Sequence, residues 1–259
     1  ENSLKVLDWI GETFAPGTVL VSLMRSQDEL AFSWRKLRIH RRSLSLMSKV
    51  GIPAGIQGCL FSLANLAIQG AINAYGSVVV AGSSAAGSID GFIYVSMNTF
   101  HQTAQTFLSQ NIGAGKYDRV KDILKKCLLC TVVTGAILCT VACVFSQPLL
   151  RIYNQDPAVV AAGTVRLYIA VAPYIIFGLA DVLTGAIRGC GSPVRPVVIN
   201  LLCTCVFRLL WIAAINTDTM PVTWVYASYP ASWLVLLIAL TVCWLRLYRR
   251  KIRPHLTPD

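Results

Sequence analysis

Eight residues spaced three or four apart, Ser83, Gly87, Asp90, Tyr94, Asn98, His101, Gln105 and Ser109, stand out in a largely apolar chain. At about 100° per residue they fall within roughly a third of a helix circumference, so one face of a helix here is polar from end to end. Small and amide side chains on such a face can be packing glue between helices. The acid and the histidine favour the other reading, the wall of a water-filled cavity, because ionisable groups in an apolar slab must be hydrated, neutralised or paired. A weaker row lies upstream: Ser62, Asn65, Gln69 and Asn73 share a face, with Gln57 nearer one end, and there packing and cavity stand equal.

Two more charges lie deep in apolar runs, Asp181 and Arg208. Asp90 and Arg208 count inward to similar depths, and an ion pair between them is the simplest expectation. Asp181 has Tyr174 and Arg188 seven residues to either side, hence on its own face. A carboxylate so placed exchanges a proton or holds a sodium ion; a salt bridge to an inner-loop arginine is the equal alternative. Pro173 removes a helical hydrogen bond and, with Gly178, lets its helix bend, as in transporters that build mid-membrane sites from broken helices. The nine cysteines sit within apolar runs and read as small buried hydrophobes. Cys127 and Cys130 form a Cys-x-x-Cys without a histidine or second cysteine pair beside them, so neither metal nor redox centre is expected. Paired catalytic carboxylates and a nucleophile with its base are likewise missing from the pattern, and an enzyme is not expected.

The elements that position these residues follow from composition. Of 259 residues, 55% are hydrophobic and 14% charged, against about 25% charged in ordinary globular chains. The apolar residues come in blocks of roughly 20 or more, the length of a membrane-spanning helix. This excludes a soluble enzyme, a secreted disulfide scaffold and a disordered tail, and predicts an all-α, polytopic helical membrane protein. Six spans are expected: Val50 to Tyr75, Val78 to Gln110, Leu124 to Leu150, Ala158 to Ile187, Val194 to Asn216, and Val222 to Leu245. Residues 50–245 would be a six-helix bundle, residues 1–49 the stub of a preceding helix (Phe14 to Met24) with a basic loop, and residues 246–259 a basic tail. The second span is long enough that it must tilt, bend or protrude, with Gly82, Gly87 and Gly91 as places to bend.

Charge placement sets orientation. The chain has 23 Lys and Arg against 12 Asp and Glu, a net +11, which by itself also suits nucleic acid. The cations crowd into 35–49, 116–126, 188–195 and 246–253, which are every second loop, while the intervening connections hold only Arg151. Basic loops stay cytoplasmic, so the partner is the lipid bilayer rather than nucleic acid, and a plasma-membrane protein with both ends of the bundle cytoplasmic is expected. Nothing at Glu1 resembles a signal peptide, and the chain reads as a fragment.

Four motifs then agree on one family. Gly51-Ile-Pro-Ala-Gly-Ile-Gln57 after a basic loop, Ser109-Gln-Asn-Ile-Gly-Ala-Gly-Lys116 closing the next helix, Ile187-Arg-Gly-Cys-Gly-Ser-Pro193, and Tyr229-Pro-Ala-Ser-Trp233 together resemble the multidrug and toxic compound extrusion (MATE) family. The resemblance implies a six-helix transporter lobe matching helices seven to twelve of a twelve-helix protein, with an amino-terminal six-helix half as its missing partner. It implies antiport of small organic cations against Na+ or H+ by rocking of the two halves, with no cofactor beyond that coupling ion. On this reading Asp90, Tyr94, Asn98, His101, Gln102, Gln105, Asn65 and Gln69 face the substrate path, Asp181 with Tyr174 answers the coupling ion, and Pro173 and Gly178 bend the fourth helix. The sequence departs from the sodium-coupled branch: the glutamate expected near Phe61 or Ser62 is absent, and Asp181 is about one turn displaced from the acid of the tenth helix. A lipid-linked saccharide flippase of the same superfamily, and a non-transporting remnant or assembly partner, are the alternatives.

Overall fold

The computed structural model describes residues 41–215 and 219–255. The expected stub at Phe14 to Met24 lies outside them. The chain divides into two compact units, Glu1–Lys49 and Val50–Asp259. The described part of the first, residues 41–49, is helical; the second is helical throughout apart from its connections.

In chain order the helices are α1 (Arg41–Asn73), α2 (Ser77–Gly113), α3 (Val120–Val144), α4 (Ser146–Tyr153), α5 (Pro157–Ala170), α6 (Tyr174–Gly189), α7 (Val194–Asn200), α8 (Phe207–Ala214) and α9 (Thr223–Leu247). Single turns of 3-10 helix at Tyr117–Arg119 and Arg253–His255, and π segments at Leu201–Val206 and Tyr248–Ile252, extend them. Among the described residues four spans are long and apolar enough to cross a membrane, or five if the bent pair α5 and α6 counts as one. The remaining expected span, α1, has the length, with Asn65, Gln69 and Asn73 thinning its apolar run. Leu129, Ile137, Leu210 and Ile238 are exposed, the outer surface that hydrocarbon solvates.

The expected spans are revised in three places. The third does not run to Leu150: α3 ends at Val144, Phe145 leaves helical geometry, and the short α4 sets off with Pro148 in its first turn, where proline's missing N–H costs nothing. The fourth is two helices meeting at 48°, broken over Val171 to Pro173. Gly178 does not bend α6; it sits inside a regular turn. The basic segment from Arg246 is not a separate tail, because α9 and its π and 3-10 extensions continue to His255. The second span is one unbroken helix of 37 residues, about 55 Å long, well beyond a hydrocarbon core of about 30 Å.

Two of the motifs are helix stops. After α2, Gly115 adopts φ +71°, the Lys116 N–H donates to the Asn111 carbonyl at 2.9 Å and the Gly115 N–H to that of Ile112 at 3.0 Å. After α6, Gly191 takes φ +73°, with Ser192 donating to Ile187 and Gly191 to Arg188. Both are the paired-bond ending that needs a left-handed residue, which glycine supplies without strain.

The core is organised around α2 and α6. Near the basic end, Leu108, Leu124, Ile187, Leu240 and Leu247 form one apolar cluster; toward the other, Ile89, Met97, Leu150, Leu167 and Tyr174 form a second, and Ile68, Ile72 and Tyr226 join α1 to α9 in a third. Small residues let the backbones close in. A Cβ added at Gly185 of α6 would stand 2.3 Å from the His101 carbonyl oxygen, and one at Gly189 2.7 Å from that of Gln105. A Cβ at Gly178 would stand 2.9 Å from Met97 Sδ, so that glycine serves packing. Near the start of α2, a Cβ at Gly82 would lie 2.6 Å from the Val159 carbonyl of α5. Such small-residue seams take the place of the hydrophobic driving force that lipid does not provide between helices.

Gly185→Ala should therefore push backbone against backbone and cost on the order of 1–3 kcal/mol. Gly70→Ala, with nothing within 4 Å, should leave stability unchanged or slightly higher. Thermal unfolding of the two variants in detergent checks the contrast; equal melting temperatures would contradict the seam.

Candidate functional site

A cavity of about 760 Å³ is walled by α1, α2, α5, α6, α9 and the α7 to α8 segment. From α1 come Asn65 and Gln69, from α2 Asp90, Tyr94, Asn98, His101 and Gln102, and from α6 Tyr174 and Asp181. The polar row on α2 and the acid on α6 thus share one space. Gln105 is not among the lining residues; it lies one turn further along the seam, its carbonyl against Gly189.

His101 of α2 and Asp181 of α6 are in direct polar contact. The His101 Nδ1 is 2.9 Å from the Asp181 backbone carbonyl and 2.9 Å from its carboxylate Oδ1. A carbonyl oxygen only accepts, so Nδ1 carries a proton and donates to both oxygens. The Asn98 amide donates to Asp181 Oδ2 at 3.5 Å. His101 is buried and Asp181 only 15% exposed, so α2 holds both oxygens of the carboxylate in a fixed direction. That places a carboxylate with an imidazole beside it at the cavity wall, a unit that can take up and release a proton or hold a small cation.

Among the described residues Arg208 is the most buried charge, 3% exposed. The expected ion pair with Asp90 is not formed. Its Nε instead donates to Ser232 Oγ at 2.9 Å, and its guanidinium lies over the rings of Tyr229 at 4.5 Å and Trp233 at 6.0 Å. Ser232 Oγ in turn donates to the Tyr229 carbonyl at 2.8 Å, so one hydroxyl both accepts and donates. The π segment at Leu201–Val206 just precedes Arg208; its wider turn re-aims the residues that follow, and depth counted along a regular helix misses that rotation.

Arg166 of α5, which the sequence reading did not single out, also lines the cavity. It donates to the carbonyl and hydroxyl of Ser83 and stands 5.9 Å from the Tyr229 ring. A lone arginine in an otherwise apolar run was the available signal. Asp90 faces Arg166 and Arg208 electrostatically, yet its Oδ1 is buried without a hydrogen-bond partner. An aromatic wall completes the space: Tyr174 packs edge-on to Trp233 at 5.0 Å and to Phe177 at 5.2 Å, and Tyr94 lies 6.0 Å from Phe177. Cys127 is buried and Cys130 exposed.

The profile of the MatE family matches residues 53–212, well over half of the chain. The chain belongs to the MATE family. It is a multi-pass membrane protein of a family of transporters. Among its relatives, the probable multidrug resistance protein YoeA of Bacillus subtilis is 24% identical over 205 residues, 79% of this chain and 44% of that protein. The FAD transporter of Shewanella oneidensis is 25% identical over 214 residues, 82% of this chain and 46% of that one. The Vibrio cholerae MATE transporter VcmN in its bent form shares the fold, with a TM-score of 0.76 at 16% identity over 91% of this chain and 54% of that one. The chain spans about half the length of these relatives. In this MATE lobe, the Ser109 to Lys116 and Ile187 to Pro193 motifs build the helix stops, and Tyr229 to Trp233 supplies the rings and the hydroxyl that hold Arg208.

Removing that hydroxyl leaves a buried cationic N–H without its acceptor. Ser232→Ala should cost about 1–3 kcal/mol, and Ser232→Thr, which keeps the oxygen, should restore most of it. Melting temperatures in detergent decide; no loss in the alanine variant would show that Arg208 is held by the rings alone.

Proposed function

We propose that this chain is one lobe of a secondary active exporter of small organic compounds. The cavity is the half of the substrate path that this lobe supplies, and a second six-helix lobe faces it and completes the path. The two lobes rock to expose the path alternately to either side of the plasma membrane, with both ends of this bundle cytoplasmic, as the basic alternate loops favour. The observation that carries the reading is the His101 and Asp181 pair in the wall of a polar, aromatic cavity of about 760 Å³ within a MATE fold. Multidrug relatives such as YoeA support export of organic compounds in general rather than of one metabolite.

Asp181 is the coupling acid of this lobe. Its two oxygens are held by His101 and Asn98, and protonation of the carboxylate, or a sodium ion on it, would replace the His101 bond to Oδ1. His101 keeps its second acceptor, the Asp181 carbonyl, so the ring stays in register while the charge at the cavity wall changes. The absence of a carboxylate at Phe61 or Ser62 in α1 leaves this acid without the partner of the sodium-coupled branch, which favours a proton.

The test is transport by the full-length protein in proteoliposomes under imposed pH or sodium gradients. Asp181→Asn should lower gradient-driven export at least about tenfold while leaving the melting temperature close to wild type, since the asparagine keeps the shape and one acceptor. Full gradient-driven export by the asparagine variant would remove Asp181 from the coupling role.

A further inference from the structure

The cavity carries three guanidinium groups, Arg166, Arg188 and Arg208, against two carboxylates, Asp90 and Asp181. Of these acids, Asp181 is engaged by His101 and Asn98. Asp90 is the one acid left beside Arg166 and Arg208, and it forms no ion pair with either. The two arginines share a platform: both lie within 6 Å of the Tyr229 ring, Arg208 at 4.5 Å and Arg166 at 5.9 Å. Among the described residues, Arg208 makes its hydrogen bond through Nε and Arg166 through one Nη, so each has a further N–H group uncommitted. Two guanidiniums within 6 Å of one ring in an apolar slab, with one acid facing both, leave one positive charge uncompensated, and that is costly unless something anionic shares the space. The fork of an arginine matches carboxylate and phosphate oxygens in pairs.

Resting on the transport reading above, we propose that the cargo of this lobe is an amphipathic aromatic anion, whose carboxylate or phosphate seats between Arg166 and Arg208 and whose ring lies against Tyr94, Phe177 and Trp233. The resemblance to the family implied a cationic cargo; with Arg166 and Arg208 in the same cavity the charge of this lobe favours an anion instead. Asp90 then tunes affinity, holding the site from binding the anion too tightly to release it. An inside-negative membrane potential favours exit of such a cargo.

Equilibrium binding to the detergent-purified full-length protein, read by fluorescence anisotropy, separates this proposal from the transport reading. Carboxyfluorescein is the anionic probe and ethidium the cationic one. Carboxyfluorescein should bind, Arg166→Gln and Arg208→Gln should each weaken it at least about tenfold, and Asp90→Asn should tighten it several-fold. The asparagine variant guards against misfolding, since a gain of affinity cannot come from a damaged protein. Ethidium binding that Asp90→Asn abolishes, or no carboxyfluorescein binding by the wild type, would overturn the proposal. Intact anion binding with no movement of either dye across proteoliposomes would instead sink the transport reading.

Discussion

The close approach of α2 and α6 is the constraint on which the rest of the lobe depends. Lipid gives helices no hydrophobic reason to associate, so van der Waals contact over a smooth seam must do so. Gly178, Gly185 and Gly189 strip one face of α6 to backbone, and the His101 and Gln105 carbonyls of α2 lie where side chains would otherwise stand. At that separation the His101 ring reaches both the carbonyl and the carboxylate of Asp181. A side chain at Gly185 would move α2 away and release the histidine, so packing and site chemistry share one geometric cause.

Around this seam the lobe places its irregular backbone where it serves the cavity. The break at Val171 to Pro173 starts α6 afresh, so that Tyr174 and Asp181 face inward while α5 presents Arg166 from the other side of the bend. The π segment before Arg208 turns that residue toward Ser232 and the Tyr229 ring. Both devices put polar groups inside without exposing unsatisfied backbone to hydrocarbon. The result is a cavity with two characters: a hydrogen-bonded acid near the seam, and a pair of arginines over an aromatic floor.

The polar row on α2 was legible in the sequence because a 3.6-residue period needs no knowledge of neighbours, and so was the break at Pro173, which proline chemistry dictates. The end of α3 at Val144 was hidden by an apolar run that continues through Phe145; the proline at 148 was the cue. What pattern alone could not supply was the rotation of helices about one another. Asp90 and Arg208 sit at comparable depth, yet Arg208 turns to Ser232. Gln105 belongs to the α2 row, yet the cavity closes before reaching it, because the seam with Gly189 intervenes. Arg166 was overlooked although its apolar setting marked it, and it reverses the charge balance of the site.

The claim that the α2 and α6 seam positions a coupling pair is most directly tested by nitrogen-15 NMR of the His101 ring in the full-length protein in lipid bilayers. The account predicts a proton on Nδ1, a hydrogen-bonded Nδ1 signal that shifts in Asp181→Asn, and its loss in Gly185→Ala. A ring protonated on Nε2 alone, or one that exchanges as in water and responds to neither substitution, would contradict it.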